Sequence, residues 1–186
     1  MPRPGLRRVA SLLVRIATPI ETERLRLRPF HDDRSDVEAL LAVLGDPESM
    51  RYYPAPFDRD GAGAWIDRQL ERYEHDGFGL LAIEDRTTRE VIGDCGPTVQ
   101  EADGESYVEL GWHVLGSRQG QGIATEAGVA CRDAAFVSLA APFLISLIRP
   151  ENSPSRRVAE KLGFEIWRGT IRAGWGHLIY RLDRAP

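Results

Sequence analysis

Seven consecutive residues, Gly116-Ser-Arg-Gln-Gly-Gln-Gly122, hold three glycines and one arginine, and they stand between segments of different periodicity. Before them, Tyr107 to Leu115 alternates and is rich in aromatic and branched side chains, the pattern of a strand. After them, Ile123, Ala127, Ala130, Ala134 and Val137 recur at helical spacing. A strand, a glycine-rich turn and a helix start together make a place for phosphate. The first helical turn leaves N–H groups without partners, its dipole favours an anion, and glycine lets the main chain approach because no Cβ intervenes. Arg118 would add a positive charge there, or stand solvated. A nucleoside-triphosphate loop requires a lysine directly after its last glycine, and the only lysine here is Lys161. A dinucleotide fingerprint fails too, because Gly120-Gln-Gly122 is followed by Ile-Ala-Thr where a third glycine would stand. A plain strand-to-helix turn would use the same glycines, so the loop alone leaves both readings open.

Other chemistries are poorly served. His31, His75, His113 and His177 are scattered without ligand spacing, and no metal is expected. Cys95 and Cys131 are too few and too isolated for a metal knuckle or a disulfide framework and read as buried small hydrophobes. A net charge of −4 gives no bulk attraction to nucleic acid or an acidic membrane. With 186 residues, 42% hydrophobic and 28% charged, the chain has the size and composition of one soluble domain, and no apolar run reaches the length of a membrane span. A cytoplasmic protein is expected. Residues 1–17 stand apart: Arg3, Arg7, Arg8 and Arg15 accompany Leu6, Val9, Leu12, Leu13 and Ile16 in a basic, amphipathic pattern. Arg15 interrupts what a secretory signal would need, so the stretch reads as an extension before a single domain over 18–186, with a membrane-surface helix as the other reading.

Three separated motifs carry a family resemblance. Gln119-x-x-Gly122-x-Ala124, preceded by Arg118, resembles the pyrophosphate loop of the GCN5-related N-acetyltransferase (GNAT) superfamily. Arg149-Pro-Glu-Asn-Ser-Pro-Ser-Arg-Arg-Val-Ala-Glu-Lys-Leu-Gly-Phe164 resembles that superfamily's second signature, Asn-x-x-Ser followed by a short helix ending in Lys-Leu-Gly-Phe. Thr22-Glu-Arg-Leu-Arg-Leu-Arg-Pro29 is similar to the opening strand of its RimJ/RimL-type branch, which acetylates ribosomal-protein N-termini and diverse small amines. The resemblance runs from Thr18 to Leu182.

The resemblance implies an acetyltransferase that uses acetyl-coenzyme A, without a metal, and acts on the primary amine of a small molecule or a peptide N-terminus. It places backbone N–H groups of Gln119, Gly120, Gln121, Gly122, Ile123 and Ala124 around the pyrophosphate, with Arg118 beside them. An alkylammonium has a pKa of about 10, so a site for this reaction must remove a proton, stabilise an oxyanion and return a proton to the leaving thiolate. By resemblance Glu109 is the base, acting directly or through water, although it could instead pair with an arginine or bind the substrate's charge; His113 would share the work or be structural. The N–H of Leu115, with Val114 beside it, is the implied oxyanion donor. Asn152 would bond pantetheine or hold a strand, and Ser155 would protonate the thiolate or serve only in the first turn of its helix; many relatives have a tyrosine where Ala159 stands here. Tyr52, Tyr53, Phe57, Trp65, Trp112 and Trp175 are candidates for the acceptor pocket. A coenzyme-binding sensor without catalysis, a transferase of a longer acyl group such as succinyl, and a homodimer all remain open, while a nucleotide-dependent enzyme suffers from the missing lysine.

The elements that must position these groups are legible in order. Leu25 and Leu27 alternate with arginines in a half-buried strand, and Ser35-Asp-Val-Glu38 reads as a capping box opening a helix that stops at Gly45. A second helix is expected from Gly61 to His75, strands at Phe78 to Ile83 and Val91 to Val99, and then the central strand and long helix. Phe143 to Ile148 is continuously apolar except for Ser146, which suits an interior strand. Ser153-Pro154 reads as an N-cap followed by proline, and Phe164 to Thr170 and His177 to Leu182 are the last strands. This order is similar to that of the GNAT fold, and the resemblance implies an α/β (α+β) architecture: a mixed, mostly antiparallel twisted sheet of about seven strands with helices on both faces. In that fold the fourth and fifth strands, here Tyr107 to Leu115 and Phe143 to Ile148, splay apart, and the alternation of side chains is not trusted past Gly111 because the family commonly bulges there.

Overall fold

A computed structural model describes residues 15–185; the basic stretch read over 1–17 lies outside them except for its last three residues. Of those three, Ile16 is buried in the core, and its N–H donates to the Gly77 carbonyl at 3.3 Å. The elements run β1 (Ile20–Glu21), β2 (Leu25–Arg28), α1 (Val37–Leu44), α2 (Arg59–His75), β3 (Leu81–Asp85), β4 (Val91–Ala102) and β5 (Glu105–Val114). A short 3-10 turn, Gly116–Arg118, leads to α3 (Ile123–Ser138), β6 (Phe143–Ile148), α4 (Ser153–Lys161), β7 (Glu165–Arg172) and β8 (Trp175–Asp183). All eight strands form one sheet in the order β1-β2-β3-β4-β5-β6-β8-β7. The strand beyond the seven expected is the two-residue β1, which pairs Ile20 with Leu27. Among the described residues no helix is long and apolar enough to cross a membrane.

The two faces of the sheet carry different helices. Leu110 and Val114 of β5 pack with Ile123, Ala127, Cys131 and Ala135 of α3 and with Ala159 and Leu162 near α4. On the other face, Val37, Leu40, Val43 and Leu44 of α1 meet Ala62 and Ile66 of α2, with Leu115 against them. The β4–β5 ladder pairs Gly93 with Val114 through Ala102 with Glu105 without a register shift, so strict alternation extends to Val114 and no bulge intervenes. At Gly93 the strands come so close that a Cβ would stand 2.2 Å from the His113 carbonyl oxygen, and only glycine fits.

Between β5 and β6 the pairing is different. These strands are parallel and meet at a single pair, Glu109 with Ile145. The other edge of β6 is fully engaged, pairing with β8 from Phe143↔Asp183 to Ile148↔Leu178. The sheet therefore opens into a gap that starts at Glu109 and widens toward the ends of both strands.

Several local expectations are corrected. Ser35 does not cap α1. Asp36 occupies the cap position and makes no side-chain cap bond, because its carboxylate is drawn to the buried Arg28 guanidinium by bonds of 2.8 and 2.9 Å. Glu38, the other half of the expected box, pairs with Arg59 at 2.5 Å. α2 begins two residues earlier than expected, since Asp58 accepts from Gly61 N–H at 2.8 Å. β3 starts later than expected because side chains of α2 claim the preceding backbone: Gln69 accepts from Leu80 N–H at 3.1 Å, and the Tyr73 hydroxyl donates to the Leu80 carbonyl. At α4 the cap is Asn152 rather than Ser153.

Candidate active site

The hydrogen-bond phase of β5 decides which backbone groups face the gap. Leu115 N–H donates to the Ile92 carbonyl at 2.9 Å, which makes Gly93 and Val114 a non-bonded pair of the antiparallel ladder. Alternation then turns the N–H groups of Val114 and Trp112 away from β4 and into the gap. The expected oxyanion donor Leu115 is thereby corrected: its N–H is committed to β4, and its side chain lies on the α1–α2 face. Val114 N–H is the group at that level turned toward the gap. Its carbonyl accepts from Gln119 Nε2 at 3.0 Å, which ties the loop to the strand end.

Glu109 sits at the closed end of the gap. Its Oε1 accepts from Leu147 N–H at 3.0 Å, taking the donor that a continued β5–β6 ladder would have used. Burial pushes its carboxyl above the usual 4.5, opposed by that hydrogen bond and by the nearby positive charges of Arg172, His113 and Arg72.

The loop adopts the expected strand–turn–helix geometry. Gly120 and Gly122 have φ of 74° and 79°, the left-handed region that only glycine adopts freely, and Gly122 is the N-cap of α3. The Gln119 N–H is corrected as an anion donor, since it bonds the Gly116 carbonyl at 3.2 Å and closes the 3-10 turn. Among the described residues, the N–H groups of Gly120, Gln121 and Gly122 donate to no main-chain carbonyl, and Ile123 and Ala124 add the open first turn of a 16-residue helix. Arg118 is not a free arm, because its guanidinium pairs with Asp85. Arg24 braces the loop instead, donating to the Gln121 carbonyl at 3.0 Å while bound to Glu126.

Asn152 is committed through one atom: its Oδ1 caps α4 by accepting from Ser155 N–H at 3.1 Å, which leaves its Nδ2 as the group with hydrogens to offer. Capping turns the first turn of α4 toward the same space as the loop. A cavity of about 370 Å³ is lined by Val114, Arg118, Gln119, Gly120, Gly122, Ile123, Ala124, Asn152 and Ser155 together. Glu109, Leu115 and Gln121 do not line it. Arg157 and Lys161 of α4 do, two cations that the sequence reading left out although they follow Ser155 by two and six residues on the same helix. Of the aromatic candidates, Tyr52, Tyr53 and Trp112 line the cavity. Phe57 and Trp65 pack edge-on at 5.4 Å, and Trp175 lies under the Arg149 guanidinium at 3.9 Å.

One constellation was not foreseen. The Tyr53 hydroxyl lies 2.6 Å from His113 Nε2, His113 Nδ1 lies 2.7 Å from Asp94 Oδ1, and Asp94 Oδ2 accepts from Trp65 Nε1 at 2.8 Å. Asp94 is fully buried. Burial disfavours a charged His113, but Tyr53 and Asp94 more than offset it and push its pKa up to about 10. The available signal was Asp94 itself, a lone carboxylate inside the apolar run Val91 to Val99.

These residues fit a phosphate-bearing thioester on their own chemistry: free N–H groups along one strand, an open helix N-terminus after two left-handed glycines, and two cations lining the same cavity. A family profile described as "Acetyltransferase (GNAT) domain" matches residues 24–165. The chain is 32% identical to YkkB of Bacillus subtilis over 167 residues, covering 90% of this chain and 95% of that one. It is similar to the crystal structure of an acetyltransferase from Agrobacterium tumefaciens, with 31% identity, a TM-score of 0.77 and coverage of 90% and 95%. It also shares the fold of Mycobacterium smegmatis RimJ, solved in complex with CoA-disulfide, at 22% identity and a TM-score of 0.65, over 86% of this chain and 81% of that one.

Proposed function

This chain belongs to the acetyltransferase (GNAT) family, and from that premise we propose that it transfers acetyl from acetyl-coenzyme A to the primary amine of a small molecule or of a peptide N-terminus. It is an acyltransferase moving groups other than aminoacyl groups. The observation that carries the proposal is the gap beside β5, with Trp112 and Val114 N–H turned into it and the α3 N-terminus at its mouth. Pantetheine amides would pair with those strand groups as an added strand does. The pyrophosphate would lie on the N–H groups of Gly120 to Ala124, facing Arg157 and Lys161.

Glu109 is the proposed base. A carboxyl raised by burial is better matched to taking a proton near neutral pH than an ordinary one, and it stands where the gap closes. Holding the amine against the thioester supplies proximity, and Val114 N–H would meet the negative charge that develops on the acyl oxygen. Ser155, in the first turn of α4 and on the cavity wall, would lie against the sulfur. The test is thiol release from acetyl-coenzyme A with a panel of amines, amino acids and peptides, beside Glu109→Gln. Acceptor-dependent release that falls about 10²–10⁴-fold in the variant supports the reading. Tight coenzyme binding without release for any acceptor or acyl donor would replace it with a coenzyme-binding sensor.

A further inference from the structure

The Tyr53–His113–Asp94 chain lies outside the base, loop and cap residues assigned above, yet its outer end opens into the same cavity. Tyr53 lines that space with Val114, Asn152 and Ser155, and its 38% exposure leaves the hydroxyl reachable. The inner end is closed: Asp94 is wholly buried, and both its oxygens are used, one by His113 and one by the Trp65 indole. The ring of His113 is fixed by packing too, with Tyr53 and Trp65 each at 5.5 Å between centroids. A buried carboxylate that orients an imidazole, which in turn touches a hydroxyl at a cavity wall, is an arrangement for moving a proton to or from that hydroxyl.

We propose that Tyr53 is the catalytic acid that protonates the departing coenzyme A thiolate, with His113 and Asp94 as the positioning residues that recharge it. This rests on the acetyltransferase reading above. The direction of transfer follows from charge. With both ring nitrogens protonated, His113 donates through Nδ1 to Asp94 and through Nε2 to the Tyr53 oxygen, so the phenol's own hydrogen is free to point into the cavity. The charged and titratable groups around the imidazole are Tyr53 and Asp94 in contact, Glu109 along the same face of β5, and Glu48, Arg51 and Arg118 on the cavity wall. The buried Asp94 carboxylate, 2.7 Å from Nδ1, favours the protonated ring, so the chain gives protons.

The step balances. The amine nitrogen's lone pair forms the N–C bond, the C–S bond breaks and sulfur takes its electron pair. Tyr53 Oη–H gives its proton to sulfur, and His113 Nε2–H replaces it on the phenolate oxygen. His113 regains a proton from solvent. The ammonium substrate loses two protons, one to Glu109 or water before attack and one after, so the net release is one proton to solvent and one carried on the thiol.

The experiment has two arms. In the first, kcat and KM for acetyl-coenzyme A and the coenzyme A Kd are measured against pH for the wild type, Tyr53→Phe and His113→Gln. Tyr53→Phe is expected to lower kcat by about 100-fold, the ordinary scale of a general acid, with Kd changed less than twofold. His113→Gln is expected to move the basic limb of the kcat profile as well as lower it. In the second arm, ¹⁵N shifts of the His113 ring are read at pH 8 without substrate, where a doubly protonated ring is expected. An undiminished kcat in Tyr53→Phe, a loss confined to KM, or a neutral ring at pH 8 would each overturn the proposal. If the wild type releases no thiol with any acceptor, the acetyltransferase reading fails instead, and the ring shifts still report whether the chain is charged.

Discussion

Glu109 has a structural duty that can be separated from its chemical one. Its Oε1 is the acceptor for Leu147 N–H at 3.0 Å, at the point where β5 and β6 part. Glu109→Ala deletes that acceptor and strands a half-buried donor, which costs about 1–3 kcal/mol. For a domain of this size each kcal/mol moves Tm by about 2–4 °C, so the middle of that range corresponds to a loss of roughly 4–8 °C. Glu109→Gln keeps an amide oxygen in the same place and should hold the gap together. The charge adds a signature in pH. Because burial raises the carboxyl in the folded protein, the native state holds this proton more tightly than the unfolded chain. Wild-type stability therefore declines as pH climbs from the unfolded value of about 4.5 through the raised folded one, and Glu109→Gln escapes that decline. Thermal unfolding of the three proteins from about pH 4, near the ordinary carboxyl value, to about pH 8 should show Gln at or above wild type in the upper half and Ala below both throughout. An Ala variant as stable as Gln at the upper end would refute the anchoring of Leu147. A wild-type-minus-Gln difference that stays flat with pH would refute the burial argument.

Other perturbations have equally definite outcomes. Burial opposes the charge on Asp36, but the Arg28 guanidinium, bound through two bonds, holds its carboxyl below the usual 3.8. Its contribution is present above pH 3.8 and is lost as pH falls through the lower folded value, and Asp36→Ala should cost about 3–5 kcal/mol in urea unfolding at neutral pH. Gly122→Val forces a branched residue to φ 79°, costing about 1–2 kcal/mol of stability, and plants a side chain at the helix start. Titration calorimetry should show coenzyme A affinity falling by about tenfold or more, the equivalent of 1.4 kcal/mol. Asn152→Ala removes the 3.1 Å cap on Ser155 N–H and should lower stability by about 1 kcal/mol in thermal unfolding.

What could be read beforehand depended on whether the signal was local. The glycine loop, the helix it opens and the asparagine–serine turn are each encoded within a few residues, and the structure gathers them on one cavity. Alternation along β5 runs on to Val114, further than the sequence reading trusted it, and puts Glu109 and His113 on one face. The choice between Leu115 and Val114 as donor was not local: it depends on which rungs of the β4–β5 ladder are bonded, and that is set by the partner strand. Tyr53 and His113 are sixty residues apart and meet only because the loop after α1 folds over β5. Ser35 and Asp36 show the opposite failure, in which a good local pattern lost to a buried arginine on a neighbouring strand.

The single rung between β5 and β6 has a mechanical consequence. Five strands on one side and three on the other are each laced by antiparallel neighbours, whereas the seam between them has one backbone pair and one carboxylate tie. The protein is thus two ribbons sharing a helical backing. Whatever lies in the seam completes the lacing, so a bound molecule there works as a missing strand, and the amides of the β6–β8–β7 ribbon should exchange with solvent through an opening of their own that ligand suppresses.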